Sequence, residues 1–230
     1  MRISGQQFTV PIAGQGGLPA EVGAVVVNMT AARTQVGGAS TTYGYLTAFA
    51  SGSSRPATSN VNYDWTIGDT PNLAVVPVGA DGKISIANTS NGPVGVVVDV
   101  MGYFLKGTAA AAGTFHQMAP TRFLDSRSNP APVGPGQDIS VDVAGEKGVP
   151  VEAKAAMINL TATEAQYYGF LSAYPAGQAL PNASNVNYLQ RQTVANFAVV
   201  PIGADGKITI HNTSYGTVQV VVDVMGYIMG

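Results

Sequence analysis

Two aspartates lie inside valine-rich segments, and they are the residues whose surroundings most require a chemical explanation. Asp99 follows three valines at positions 96–98, and Asp223 follows three more at positions 220–222. Burying a carboxylate in such a strand without a partner costs free energy, so each aspartate is expected to meet a cation. The sequence leaves two explanations open, which are an ion pair with arginine and a metal site.

The arginine for such an ion pair can come from the segment Ala-Pro-Thr-Arg-Phe-Leu-Asp-Ser-Arg at positions 119–127. It offers Arg122 and Arg127 to neutralise Asp223, with Asp125 as a further hydrogen-bond acceptor. The metal alternative is weaker, because no second carboxylate recurs near the aspartate in both halves of the chain. We therefore predict a structural ion pair formed by Arg122, Asp125, Arg127 and Asp223.

The other chemically versatile side chains form no recognisable catalytic or metal-binding motif. His116 and His211 are the two histidines, and neither has a serine or carboxylate at the spacing of a catalytic triad or zinc site. The chain has no cysteine, which excludes thiolate ligands and a cysteine nucleophile. The Gly-Ala-Asp-Gly segments at 79–82 and 203–206 lack the serial oxygen ligands of a calcium loop. We predict that the chain is not an enzyme and has no cofactor.

Paired amides beside an aromatic residue form a second candidate site in each half. Asn60 and Asn62 are two residues apart, so on a β-strand they share one face of the sheet. Such amides can bond sugar hydroxyls while an aromatic ring stacks on the sugar, or they can satisfy backbone groups of a loop. Both interpretations stay open. The candidate residues for binding a glycan or another partner are Asn60, Asn62, Tyr63, Trp65, Asn185, Asn187 and Tyr188.

The chain contains an internal repeat. The run VVPVGADGKISIANTS at 75–90 recurs as VVPIGADGKITIHNTS at 199–214. We predict two tandem domains, residues 1–106 and 115–230, joined by an Ala- and Gly-rich linker at 107–114. Asp-Gly between two β-rich runs favours a tight turn, so each repeated run is predicted to form a β-hairpin.

The remaining pattern predicts an all-β fold. Short alternating runs are separated by Gly, Pro, Asn and Ser, and no helical period occurs, which indicates antiparallel β-sandwiches of the jelly-roll or immunoglobulin-like kind. The apolar runs at 24–30 and 155–161 are predicted to be central strands. The loop at 33–43 is six residues longer than its counterpart and is predicted to lie on the surface.

Composition excludes some partners. Only 10% of the residues are charged, the formal net charge is -2, and lysine and arginine do not cluster. We therefore expect no nucleic-acid partner and no anionic membrane surface. No apolar run approaches the ~20 residues that span a bilayer, and residues 1–5 are not followed by the apolar region of an export signal.

The order of motifs resembles a known class of surface module. The motifs are APTRFLDSR, PVGPGQ, INLTAT, GFLSAYPAG, ASNVNY, TVANFAVVPIGADGKI and VVVDVMGY. They are similar to the tandem modules of secreted and wall-associated proteins of high-GC Gram-positive bacteria and of virion proteins of their phages. The resemblance covers nearly the whole chain and implies a surface or interaction role more than a defined reaction. Secreted members carry a signal peptide and often a hydrolase or peptidase, neither of which is found in this sequence.

The arginine-bearing segment is not duplicated. Residues 115–127 precede the second repeat, whereas the first repeat has no counterpart to them. We expect the first domain to lack an opening strand and to be completed by another chain, because a bare sheet edge is normally covered. The alternatives are that the segment serves the first domain instead, or that the long loop at 34–42 folds over the gap.

The function predicted from these features is that of a non-enzymatic structural or attachment protein, such as a phage virion decoration or tail-associated subunit. Its expected partners are other protein subunits, in a homo-oligomer or a larger assembly, and its expected location is the virion. The alternative is a carbohydrate- or cell-wall-binding module of a secreted bacterial protein, with an extracellular or wall location.

Overall fold

The computed structural model describes residues 2–3, 7–32, 43–64, 69–90, 92–107, 113–128 and 131–230. These residues form β-strands joined by turns and contain no helix, so the predicted all-β class is confirmed. It follows that the described part of the chain holds no helix of a length and hydropathy suited to crossing a membrane. The chain divides into two compact units, Met1–Thr108 and Ala109–Gly230. Residues 108–112 of the predicted linker and 33–42 of the predicted surface loop lie outside the described residues.

Unit one contains eight strands among its described residues. They are β1 (Arg2–Ile3), β2 (Gln7–Pro11), β3 (Val22–Ala32), β4 (Tyr43–Ala50), β5 (Val61–Asp64), β6 (Thr70–Pro77), β7 (Lys83–Ser90) and β8 (Val94–Leu105). One antiparallel sheet has the order β1-β8-β3-β6, and the other has the order β2-β7-β4-β5.

Unit two also contains eight strands among its described residues. They are β9 (Phe115–Asp125), β10 (Asp138–Asp142), β11 (Ala153–Thr163), β12 (Gly169–Pro175), β13 (Val186–Tyr188), β14 (Val194–Pro201), β15 (Lys207–Ser214) and β16 (Gln219–Met229). Its antiparallel sheets have the orders β9-β16-β11-β14 and β10-β15-β12-β13.

In each unit the two sheets share one hydrophobic core. Val27 of β3 and Ile86 of β7 belong to the core of unit one, and Ile158 of β11 and Ile210 of β15 belong to that of unit two. Successive residues of a strand point to opposite faces, so one face of each sheet supplies the core. The predicted central strands are confirmed, because β3 lies between β8 and β6, and β11 lies between β16 and β14.

The predicted β-hairpin at each Gly-Ala-Asp-Gly turn is wrong. β6 pairs with β3, while β7 pairs with β2 and β4, so the turn carries the chain from one sheet to the other. Asp-Gly still makes the turn, since Gly82 has a φ of 76° and the Asp81 carboxylate accepts a bond from the Lys83 amide. The local sequence predicts the turn, but the strand with which an apolar segment pairs depends on residues far away in the sequence.

In each unit a tyrosine and an asparagine bond across an intervening strand, from β5 to β7 over β4 and from β13 to β15 over β12. Tyr63 donates to Asn88 Oδ1 over 2.6 Å, and Tyr188 donates to Asn212 Oδ1 over the same distance. Asn212 Nδ2 donates in turn to three backbone carbonyls of the adjoining loops, those of Val133, Gly134 and Gly216. These buried amides pin the loops at one end of the sandwich, because an unbonded amide there would cost free energy.

Candidate functional site

The predicted ion pair lies where β9 runs along the edge of β16. Val222 and Val224 point into the core of unit two, so Asp223 between them points to the opposite face of the sheet. Arg122 is the residue opposite Asp223 in the strand register. Its Nε and Nη2 donate to the two oxygens of the Asp223 carboxylate, which is only 1% exposed. The guanidinium therefore neutralises a buried charge through a forked contact.

Asp125 extends this pair into a cluster of four charges. Its carboxylate accepts a bond from Arg122 Nη1 over 2.9 Å and two bonds from the Arg127 side chain, over 2.8 and 2.7 Å. The hydrogen bonds and charge of Arg127, helped by the charge of Arg122, lower the pKa of Asp125 to about 2. Two carboxylates and two guanidinium groups thus balance each other at this edge of the sheet.

Strand β8 of unit one, the counterpart of β16, has a different environment. Val97 is 46% exposed whereas its counterpart Val221 is 4% exposed, and Met101 is 67% exposed whereas Met225 is 1% exposed. Asp99 is exposed too, and no cation of the described residues contacts it. An almost identical sequence is therefore covered in unit two and open in unit one.

The opening reaches the core of unit one. Val100 is the residue opposite Val27 of the core, yet it is 43% exposed, whereas its counterpart Val224 is fully buried. In unit two, Leu124 of β9 lies opposite Val222, two residues before Val224 on the same face, and belongs to the core. Arg2–Ile3 pairs only with Gly95 and Val94 at the start of β8. Among the described residues, then, no strand covers β8 as β9 covers β16.

The asparagines proposed for glycan binding all make hydrogen bonds within their own units, although Asn187 itself is exposed. Asn60 Oδ1 accepts a bond from the Ala48 amide, and Asn185 Oδ1 accepts the equivalent bond from Ala173, both over 2.7 Å. Asn62 and Asn187 donate to the serine hydroxyls three residues before them. These bonds hold the loops before β5 and β13, which is the structural alternative that the sequence left open.

The tyrosines proposed for the same site cannot stack on a sugar. The rings of Tyr63 and Tyr188 are buried in the cores of their units, and burial raises the pKa of both hydroxyl groups. The sequence-based assignment is corrected here, because the strand period placed the tyrosines without showing which face was internal. Trp65 lies outside the described residues.

Both histidines contact other side chains among the described residues of unit two. His211 Nδ1 lies 2.7 Å from Asp138 Oδ1, and Ser172 is the cross-strand neighbour of His211. However, the Ser172 hydroxyl is fully buried and donates to the Ala183 carbonyl. His116 stacks on Tyr227, with ring centroids 5.1 Å apart. No group of three His, Asp or Glu residues suited to holding a metal occurs within the described ranges.

One cluster was missed from the sequence. Tyr167 lies 4.9 Å from Tyr168 and 6.1 Å from Tyr215, measured between ring centroids, and all three rings are exposed. The Tyr-Tyr pair in the short loop before β12 was a local signal. Tyr215 is distant in sequence, and only the fold brings it to the other two rings.

Removing the arginine should destabilise unit two strongly. Arg122→Ala leaves Asp223 buried without its cation, so we expect the free energy of unfolding to fall by about 3–5 kcal/mol in urea denaturation followed by circular dichroism. The matched control Arg55→Ala, in an exposed loop, should change it by less than about 0.5 kcal/mol. The apolar double variant Arg122→Met with Asp223→Leu should regain most of the loss. Equal effects of Arg122→Ala and Arg55→Ala would contradict the assigned role.

The low pKa of Asp125 predicts acid sensitivity. A carboxyl group that ionises more readily when folded stabilises the protein above its unfolded pKa, near 4, and that contribution disappears as pH falls through about 2. Thermal unfolding between pH 5 and pH 2, values set by that pKa window, should therefore show a steeper loss of stability in the parent chain than in Asp125→Asn. Parallel pH profiles would rule out this contribution.

Comparisons of the chain with models of protein families, with curated proteins and with solved structures found no match.

Proposed function

We propose that this chain is a non-enzymatic structural or attachment protein that is built into a larger assembly through the open β8 edge of unit one. The observation that carries the proposal is the exposure of Val97, Val100 and Met101, whose counterparts in unit two are buried. We further propose that the two units are jelly-roll or immunoglobulin-like sandwiches that arose by duplication. The motif resemblance supports a virion decoration or tail-associated subunit.

Physical chemistry favours coverage of this edge. Fully burying a valine or methionine side chain contributes about 1.5–3 kcal/mol. Tyr103 and Leu105 extend the same exposed strand, so a partner that covered it would gain several such contributions. Exposed apolar side chains along an open edge strand are typical of a contact site between proteins. The charge of Asp99 in its middle would give such a contact specificity.

The catalytic alternative has less support. The Ser172 hydroxyl beside His211 is buried and bonded to backbone, so it is not available as a nucleophile to the His211–Asp138 pair. The position of His211 is occupied by Ala87 in unit one. The structural interpretation explains both features without a substrate.

A single-cysteine footprint tests the assembly role, since the chain has no cysteine of its own. We expect a thiol reagent to modify the Met101→Cys variant readily in the isolated chain and at least about tenfold more slowly in the native assembly, where a partner excludes the reagent. Leu189→Cys is the matched control, because Leu189 is also exposed but lies on a loop of unit two. Equal reactivity of the Met101→Cys thiol in both preparations would refute assembly through β8.

A second function, glycan binding, is favoured by the cluster of Tyr167, Tyr168 and Tyr215. Exposed tyrosine rings supply apolar faces with polar tips, the combination that sugars require. A groove of about 370 Å³ adjoins the same loop and is lined by polar groups of Glu164, Gln166, Gln190 and Arg191 among others. The site would belong to unit two alone and would not involve the asparagines first suggested.

Binding of wall polysaccharide fragments would test this second function. Tyr168→Ala and Tyr215→Ala should each weaken binding at least about fivefold in calorimetry, because each removes a stacking face. The matched control is Tyr43→Ala, since Tyr43 is the exposed counterpart of Tyr168 in unit one. Unchanged affinity in both unit-two variants, or no binding by the parent chain, would eliminate glycan recognition at this cluster.

A further inference from the structure

The proposed assembly role can be taken further, to the chemistry of the partner segment. Resting on that role, we propose that β8 of unit one accepts an antiparallel β-strand from a different polypeptide chain. This strand places an arginine opposite Asp99, followed by two apolar residues, of which the second lies opposite Val98. It would extend the sheet β1-β8-β3-β6 beside β8, in line with β1.

Unit two supplies the template for this contact. Along β16, Val222 is paired with Leu124 and Asp223 is paired with Arg122. The register therefore skips Phe123, which is a β-bulge in β9. Leu124 belongs to the core and Phe123 packs against it, while Arg122 reaches Asp223 on the outer face. A strand that fits this edge thus has an arginine followed by two apolar residues.

The β8 strand presents the same requirements. Asn28 of β3 is paired with Asp99 of β8, and Asn159 of β11 is paired in the same way with Asp223 of β16. Both β3–β8 and β11–β16 also shift register after the aspartate, between the residues opposite Val26 and Val27 in unit one and those opposite Met157 and Ile158 in unit two. The backbone, the aspartate and the open core of unit one therefore match a strand of the β9 type.

A second copy of this chain is a poor source of that strand. Among the described strands, arginine occurs only in β1 and β9. β9 already covers its own unit, and moving it would expose the buried Asp223 and the core beside Leu124. Direct pairing of two β8 edges would bring two Asp99 side chains to one seam without an arginine. A separate chain satisfies the charge and the core without uncovering unit two.

The probe for this inference is a synthetic peptide with the sequence of residues 115–127, labelled with a fluorophore. We expect it to bind the full chain saturably and to slow hydrogen exchange in residues 97–105. The matched peptide with Arg122→Gln should bind at least about tenfold more weakly, because the carboxylate loses its charged partner. Asp99→Arg should weaken the native peptide similarly, and a peptide with Arg122→Asp should regain binding to that variant.

A second experiment attaches the donor segment covalently, so its result does not depend on the affinity of a free peptide. Residues 113–132 are fused ahead of Ile3 of the full chain, because Ile3 pairs with Val94 as Val133 pairs with the equivalent Val218. The fusion should raise the melting temperature of unit one and protect residues 97–105, whereas the same fusion with Arg122→Gln should do so less. Equal behaviour of the two fusions, or protection at β16 instead of β8, overturns the inference.

The inference and the assembly role fail in different ways. A native assembly that contains this chain alone, with the Met101→Cys thiol protected, overturns the donated strand and keeps the assembly role. A fusion that leaves residues 97–105 unprotected does the same. Equal reactivity of that thiol in the native and isolated protein refutes the assembly role itself, whatever the peptide does.

Discussion

The buried carboxylate of Asp223 is the constraint on which the arrangement of unit two depends. It lies in an apolar strand and is 1% exposed, so the fold is stable only with a cation beside it. Arg122 supplies that cation, and β9 must run along β16 for its guanidinium to arrive there. The same strand adds Leu124 to the core. Neutralisation of one charge and closure of one core are therefore accomplished by a single strand.

Unit one keeps the aspartate and the valines but not the covering strand among its described residues. Its β8 exposes Val97, Val100 and Met101, although β3 pairs with it as β11 pairs with β16. The contrast between the units is a comparison within one molecule, in which sequence is nearly constant and coverage changes. That is why we propose that a partner covers the open edge.

The remaining polar residues divide between structure and surface according to their positions in the fold. The asparagines before β5 and β13 and the tyrosines that follow them hold loops and cores together. The exposed tyrosines around Tyr167 come from two loops at one end of unit two. Loops at the end of a rigid sandwich are a common place for binding residues, so this end and the β8 edge are separate candidate surfaces.

Local pattern in the sequence determined the all-β class, the central strands, the internal repeat and the four residues of the charge cluster. Period-two alternation, turn residues and the cost of burying Asp223 are all local properties. Only the tertiary structure decided that β6 and β7 belong to different sheets, that Tyr63 and Tyr188 point inward, and that Tyr215 joins Tyr167. Each of these depends on which distant strand or loop lies alongside, and alternation within one strand does not specify that neighbour.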